Sequence, residues 1–403
     1  MRIRSVVLLT FALVGLSLLS VGAKSARRPL RVILYPFVPD KVGLFRLVEQ
    51  SFEGSHPDID LQIVDLSDNY YDQDKPHAVT NTEADVIEAD SVFMQDLIDG
   101  KKVQPIRTGL RASSGQMLHV AEDAVRSGSV WFGIPHWVCT NLLFSRPQDS
   151  LNTAATLDDV VQAIGANHPA GRGLLIDLYG RSTLGELYLD ALLDKYKTLS
   201  NADPFVPVAN RDQAVVEDMK TVRTLCDADL CRDSEYHDMV GFYARLFAHG
   251  EGRGLVGYSE RLYYVGTEVL SACRKGQCQG LDTIAMVPLP LSSRGSQPFA
   301  WVDSLTIARA CAKQCLLDAE AFVRYVTSVD AVRAQLTPGW GEAPRYLMPA
   351  LEKLYSDPDL LKNAPLYPRL YPAVQNAVAV REAGLNRALR EMGAHLDKYE
   401  LPK

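Results

Sequence analysis

Between Arg31 and Ala308, short apolar or β-branched runs alternate with longer segments whose apolar residues recur at helical spacing. Arg31-Val32-Ile33-Leu34-Tyr35-Pro36 reads as a strand stopped by proline. Leu44, Leu47, Val48 and Phe52 then mark one helical face. Ile59 to Leu66 alternates into a second strand, Asp85 to Asp90 forms a third, and Val92 to Ile98 returns to helical spacing. In the middle, Leu157 to Ile164 behind an N-cap at Thr156, Thr183 to Tyr196, Ala214 to Leu225 and Met239 to His249 read as helices. Gly173 to Asp177 and Gly252 to Glu260 read as strands, as do Ile284 to Leu289 and Trp301 to Ala308. Helices over Ala319 to Val329 and Ala373 to Leu396 close the chain, and the Pro/Ser/Gly-rich stretch from Pro288 to Pro298 reads as a surface connection. This alternation predicts an α/β fold with parallel sheets covered on both faces. Ligands in such sheets lie at the carboxyl ends of the strands, and Tyr35 and Asp90 stand at two of those ends.

The first residues break the pattern. Arg2 and Arg4 precede an apolar run from Ser5 to about Leu19, and Val21-Gly22-Ala23 makes a small-residue exit. Residues 1–23 therefore read as a secretory signal peptide, too short for a membrane span and with no cysteine at its end to carry lipid. The expected mature protein is secreted or periplasmic, a monomer without a membrane anchor. Removing the leader takes Arg2 and Arg4 with it, so the formal net charge moves from −7 to −9. An acidic chain without a Lys/Arg block argues against a nucleic-acid partner and mildly favours a cationic ligand. About 380 residues remain, enough for two lobes with separate cores.

Export changes the reading of the cysteines. Six of the seven lie in near-neighbour pairs, 226 with 231, 273 with 278 and 311 with 315, although spacing leaves their connectivity open. The 311–315 spacing would be awkward inside a regular helix. Cys139 is isolated in Gly133-Ile134-Pro135-His136-Trp137-Val138-Cys139-Thr140-Asn141-Leu142-Leu143-Phe144, and an odd count leaves one thiol free or paired between molecules. A thiol at such a place is either a core residue or a nucleophile at a cleft.

The order of elements resembles the periplasmic binding protein fold, in its two-lobed type II form. Residues 84–106 resemble the segment that carries one lobe to its edge, residues 130–146 the first hinge crossing, and residues 252–262 the ligand-facing strand of the second lobe. Residues 301–310 are similar to the return crossing and residues 320–328 to the helix after it. That resemblance implies lobe 1 over 30–143 plus 302–335, lobe 2 over 146–297 plus 340–403, mixed but mainly parallel sheets, and a central cleft.

Two motifs narrow the resemblance to the thiaminase I (thiamine pyridinylase) family. Gly133-Ile134-Pro135-His136-Trp137-Val138-Cys139-Thr140 resembles the family's catalytic-cysteine segment, and Gly257-Tyr258-Ser259-Glu260 the segment carrying its glutamate base. The resemblance implies Cys139 as nucleophile and Glu260 as base. It makes Asp90 and Asp303 acids that hold an aminopyrimidine, with Tyr35 and Tyr258 as aromatic walls. Tyr70, Tyr71 and Tyr263 are further aromatic candidates by composition, while Phe37 stands where a second tyrosine would fit the lining. The implied partners are thiamine and a small nucleophilic co-substrate, with no cofactor.

The chemistry asks for these residue types. Displacing the thiazole needs a soft nucleophile that adds to the electron-poor pyrimidine, and an ordinary thiol is mostly protonated near neutrality, so a base must take its proton. Each residue also has a bland reading. Cys139 alone fits a core thiol, Glu260 a solvated acid beside Arg261, Asp90 a helix N-cap and Tyr258 ordinary packing. Asp303, between Val302 and Ser304, interrupts an apolar strand and calls for a polar partner. A Cys139–His136 hydrolase pair lacks the usual separation, Gly250 to Gly254 lacks the lysine ending of a phosphate loop, and the histidines show no metal-ligand spacing. A non-catalytic solute-binding protein for thiamine or a similar cationic heterocycle is the alternative, and both readings expect hinge crossings near 143–146 and 297–302.

Overall fold

The computed structural model describes residues 27–67, 69–72, 78–113, 115–198, 208–226, 230–275, 280–339 and 341–401. The signal peptide at 1–23 and Cys278 lie outside the described residues. The strands in chain order are β1 (Arg28–Ile33), β2 (Ile59–Ile63), β3 (Val86–Asp90), a two-strand ribbon of β4 (Arg126–Ser127) and β5 (Val130–Trp131), β6 (Ile134–Cys139) and β7 (Leu142–Ser145). Then follow β8 (Leu174–Leu175), β9 (Gly254–Gly257), β10 (Ala285–Pro288), β11 (Trp301–Ile307) and β12 (Met348–Pro349).

Two sheets form the floors of two lobes. The first has the order β12-β6-β11-β3-β1-β2 and the second β10-β7-β9-β8. Both are mixed, but among the described strands parallel pairing is confined to β1–β2, β1–β3 and β8–β9, a smaller share than expected. The reason is the path of the chain. β6, β7, β10 and β11 lead into or out of the crossings between sheets, and each runs antiparallel to its neighbours.

Those crossings lie where local signals end. The chain leaves the first sheet at Cys139 and enters the second at Leu142, so only Thr140 and Asn141 span the gap, a little before the 143–146 expected. It returns between Pro288 and Trp301. This return is not the surface connection read from its composition, because Leu289 to Ser292 are buried. Asp194 holds it, its carboxylate accepting from the backbone N–H of Leu291 (2.7 Å) and of Gln297. A third passage replaces the middle of the expected helix over 373–396. The structure has separate helices at Tyr367–Gln375 and Leu385–His395, with Gly384 left-handed between them. Ala300 N–H donates to Val378 O and Val378 N–H to Pro298 O, so this passage runs beside the return crossing. Consequently β12 belongs to the first sheet, while the 385–395 helix packs on the second lobe, dividing the 340–403 segment assigned above to lobe 2.

Local signals elsewhere form as read. Lys41–Ser55 buries Leu44, Val48 and Phe52, and Thr156 caps Leu157–Ile164 in a capping box with Asp159. The expected helix over 239–249 is shorter, Phe242–Ala248, because Gly241 takes a left-handed conformation at its start. Cys226–Cys231 and Cys311–Cys315 are disulfides. The second is accommodated because Cys311 precedes the helix Gln314–Val326 and only Cys315 lies within it.

The helix Arg181–Tyr196 is the backbone of the second lobe, and it packs tightly against Leu385–His395. Gly185 permits this closeness, since a Cβ there would collide with the Leu389 carbonyl. Gly185→Ala is expected to cost about 1–3 kcal/mol through overpacking. Urea unfolding should show a lower midpoint at unchanged slope.

Candidate active site

The site forms where strand ends meet across the lobes. β3 ends at Asp90, β6 ends at Cys139, and β11 begins with Trp301-Val302-Asp303. In register, Asp303 faces Asp90 on one side and Trp137 on the other, while Trp301 faces Cys139. Alternate residues of a strand share a face, so Cys139, Trp301, Asp303 and Asp90 lie on one side of the first sheet. All four are buried, Asp303 to 2 % exposure and Cys139 to 8 %. Cys139 is a free thiol.

Tyrosines after β1 and β2 close one flank. Tyr35 and Tyr71 hydroxyls are 2.9 Å apart, and Tyr71 donates to Asp90 Oδ2 at 2.6 Å. The other oxygen, Asp90 Oδ1, caps the following helix by accepting from Val92 N–H at 2.9 Å, so the capping and site roles coexist. Tyr70 donates to Glu88 O and accepts from Asp90 N–H, fixing the end of β3 from behind. Phe37, half exposed at 46 %, stacks on Tyr71 at 5.6 Å and meets Tyr35 edge-on, so an aromatic lining forms without a second tyrosine there. Tyr263 is elsewhere, on the Arg261–Arg274 helix with its ring against Tyr264. Below the cleft, the Tyr35 N–H donates to Glu88 Oε2 at 2.8 Å, while Glu88 Oε1 lies 2.6 Å from His136 Nδ1.

The second lobe supplies Tyr258 and Glu260. Glu260 is not a strand-end residue as read. β9 stops at Gly257, and Glu260 is the residue from which the helix Arg261–Arg274 starts. Its Oε2 is buried without a hydrogen-bond partner, and so is Asp303 Oδ1. Tyr258 donates to Glu186 Oε2 at 2.8 Å. Asn141, in the first crossing, donates to Asp190 Oδ2 at 2.8 Å. Glu186, Asp190 and Asp194 are spaced four apart on one helix, so they share a face that runs from the cleft to the return crossing.

Burial dominates the electrostatics. It pushes the Cys139 thiol well up, and repulsion from Glu260, Asp303, Asp90 and Glu186 adds to the effect. The resting thiol is therefore neutral. Burial raises Asp303 well above the carboxylate range, helped by Asp90, Glu88 and Glu260, and raises Asp90 against the hydrogen bonds from Tyr71 and Val92. Glu260 is raised by burial to about 6, although a backbone hydrogen bond and Arg261 oppose the rise. Burial brings Glu186 and Asp194 each to about 7.

Thus Cys139, Glu260, Asp90, Asp303 and Tyr35 share one electrostatic neighbourhood, and Tyr258 borders it through Glu186. Glu186, Asp190 and Trp301 were not singled out from sequence. The usable signal was three acids at fourfold spacing in a helix otherwise full of leucine, where each would be buried. Among the described residues, the one His/Cys/Asp/Glu cluster tight enough for a metal is Asp85 with Cys311 and Cys315, and its sulfurs are committed to a disulfide.

The folded-state values of Glu260, Glu186 and Asp194 exceed those of an unfolded carboxylate, so the native chain holds protons that the unfolded chain has released. Between about pH 4.5 and 7, stability therefore falls as pH rises. The lowered acids, such as Asp58 and Asp212, exert their opposite effect below that window. Urea midpoints are expected to be higher at pH 5 than at pH 7.5, with the difference reduced in a Glu186→Gln, Asp194→Asn double variant.

Residues 140–272 match the Thiaminase-1 domain model, which begins one residue after Cys139 and includes Tyr258 and Glu260. Thiaminase-1 of Paenibacillus thiaminolyticus is 27 % identical over 380 residues, covering 90 % of this chain and 86 % of that protein. Clostridium botulinum thiaminase I, solved in complex with thiamin, superposes with a TM-score of 0.78 at 21 % identity, covering 93 % of this chain and all of the other. A maltose-bound T. maritima protein, MalE3, shares the fold at a TM-score of 0.70 and 16 % identity, over 91 % of this chain and 94 % of its own. The described residues contain no helix long and apolar enough to cross a membrane. Over residues 140–272 the chain matches the Thiaminase-1 domain model, it is similar to thiaminase-1 along nine-tenths of its length, and it has the two-lobed fold shared by thiaminase I and the maltose-binding-type proteins.

Proposed function

We propose that this chain is an exported thiamine-degrading transferase, in which Cys139 displaces the thiazole and the pyrimidinylmethyl group passes to a small nucleophile. One observation carries the reading. A single free thiol shares a buried sheet face with Asp303, and the unpartnered carboxylate oxygens of both Asp303 and Glu260 lie in its neighbourhood. A protein that only binds thiamine has no use for a neutral thiol beside a base.

Two acids face each other where the aminopyrimidine would lie. Asp303, held protonated by burial and by Asp90, can donate to a ring nitrogen, while Asp90 accepts from the exocyclic amine. Tyr71 holds Asp90 in place through its hydroxyl. Glu260 takes the Cys139 proton as Sγ adds to the ring, and a carboxylate near 6 is largely ionised and ready at neutral pH. Electron density pushed into the ring expels the thiazole, which leaves with the bonding pair as a neutral molecule. The tyrosine faces and surrounding acids suit the cationic thiazolium before it leaves. Attack of the second nucleophile on the methylene carbon returns the electrons and releases Cys139, a ping-pong sequence.

Intact-protein mass spectrometry after mixing with thiamine alone is the test. The wild type is expected to gain the mass of the pyrimidinylmethyl group, and Cys139→Ser to gain nothing. Reversible binding of whole thiamine, equal in both proteins, would instead establish a binding protein. In steady state, kcat/KM for thiamine is expected to rise with pH through an apparent pKa near 6. Glu260→Gln should remove that limb and lower the rate by roughly 10²–10⁴-fold.

A further inference from the structure

At the second-lobe end of the first crossing lies a cavity of about 90 Å³, lined among others by Asn141, Asp177, Glu186, Tyr258 and Arg261. It opens off the crossing, since Asn141 is two residues past Cys139, and Glu186 is close enough that its charge opposes ionisation of that thiol. Its acids are largely accounted for. Asp177 accepts from Tyr179 N–H and pairs with His237 at 2.6 Å, and Glu186 accepts from Tyr258. Its cation is not. Among the described residues, no hydrogen bond or ion pair takes up the Arg261 guanidinium. The side chain folds across Gly257, where a Cβ would lie 2.7 Å from Arg261 Nε, so the glycine is what admits it. A half-buried guanidinium facing a cavity without a partner is a site for an anion, and its planar fork matches a carboxylate. The first substrate does not meet that need, because thiamine is a cation.

We propose that this cavity is the subsite of the second substrate, and that it takes a small amine or thiol carrying a carboxylate. The carboxylate pairs with Arg261, and the nucleophilic N–H or S–H lies toward Tyr258 and Glu186. The inference rests on the transferase reading above and names the acceptor class that the reading leaves open. For an amine, the nitrogen lone pair forms a C–N bond to the methylene of the Cys139-bound pyrimidine. The ring carbon–sulfur bond then breaks, with its electrons returning to Cys139 as thiolate. The amine proton goes to Glu186, and the thiolate recovers the proton held by Glu260. Glu186, raised by burial to about 7, can accept that proton and release it near neutrality.

The test compares aniline with 3-aminobenzoate, and both with pyridine, after thiamine alone has been shown by mass to load Cys139. Arg261→Gln is expected to lower the ratio of kcat/KM for 3-aminobenzoate over aniline by about tenfold, the scale of one charge-assisted pair. Arg261→Lys should restore part of it. Glu186→Gln is expected to slow both N–H acceptors relative to pyridine, which has no proton to lose. Using ratios cancels any effect of either change on the first half-reaction. If the wild type loads but Arg261→Gln leaves the ratio unchanged, or if it raises KM for thiamine instead, the subsite is wrong and the transferase reading stands. If the wild type does not load, both fall.

Discussion

Carboxyls and a thiol crowded into a nearly dry cleft, opposed only in part by Arg261 beside Glu260, are the constraint on which the rest depends. In water these groups would ionise independently. Here burial raises Cys139, Asp303, Asp90, Glu186 and Glu260 together, and repulsion from neighbouring carboxylates adds to the rise at Cys139, Asp303 and Glu186. Such an arrangement is costly to fold, and it persists because the surrounding structure over-determines it. Three strands of the first sheet fix Cys139, Asp90 and Asp303 by register, and a helix start fixes Glu260. Tyrosine hydroxyls and backbone N–H groups occupy the lone pairs of Asp90 and Glu186 that have partners. The reward is a set of acids spread across different protonation states at one pH. Acid and base roles can then be divided among chemically similar groups.

Passing three chain segments between two sheets is how the fold delivers these residues to one place. Thr140 and Asn141 follow the thiol directly, the return segment ends at Trp301 two residues before Asp303, and the third passage lies beside the return. Asn141 and the return segment are both tied to the 181–196 helix, through Asp190 and Asp194. That helix also carries Glu186 to the cleft. Lobe geometry and site geometry are therefore set by the same buried face, so a change there, as at Gly185, reaches the site through the helix position.

Much of this was legible in sequence where the information was local. The helix at 41–55 announced itself by its apolar spacing and the one at 157–164 by its threonine cap. The isolation of Cys139 among paired cysteines was legible from counting. What was not legible depended on partners distant in the chain. Residues 373–396 have continuous helical character, yet the passage at 376–384 is non-helical, because Val378 pairs with residues 298–300. Antiparallel pairing came from the crossings, which no strand's own composition records. The Cys311–Cys315 bridge looked awkward only while both residues were placed inside one helix.

Glu186 illustrates the remaining gap and what closes it. A glutamate among leucines on a helix reads as the one wet position of an amphipathic stretch, and periodicity alone supports that. Yet Leu184, Leu187, Leu189 and Leu193 are buried on every side of it, so this helix has no wet face here. An acid in that setting must find a donor or change its protonation, and Glu186 does both, through Tyr258 and through the rise caused by burial. The informative feature is thus the absence of a polar face that could make the acid ordinary. The same logic identifies Asp303 in its apolar strand. In both cases a polar residue that local patterning cannot explain marks the buried cleft between the two lobes.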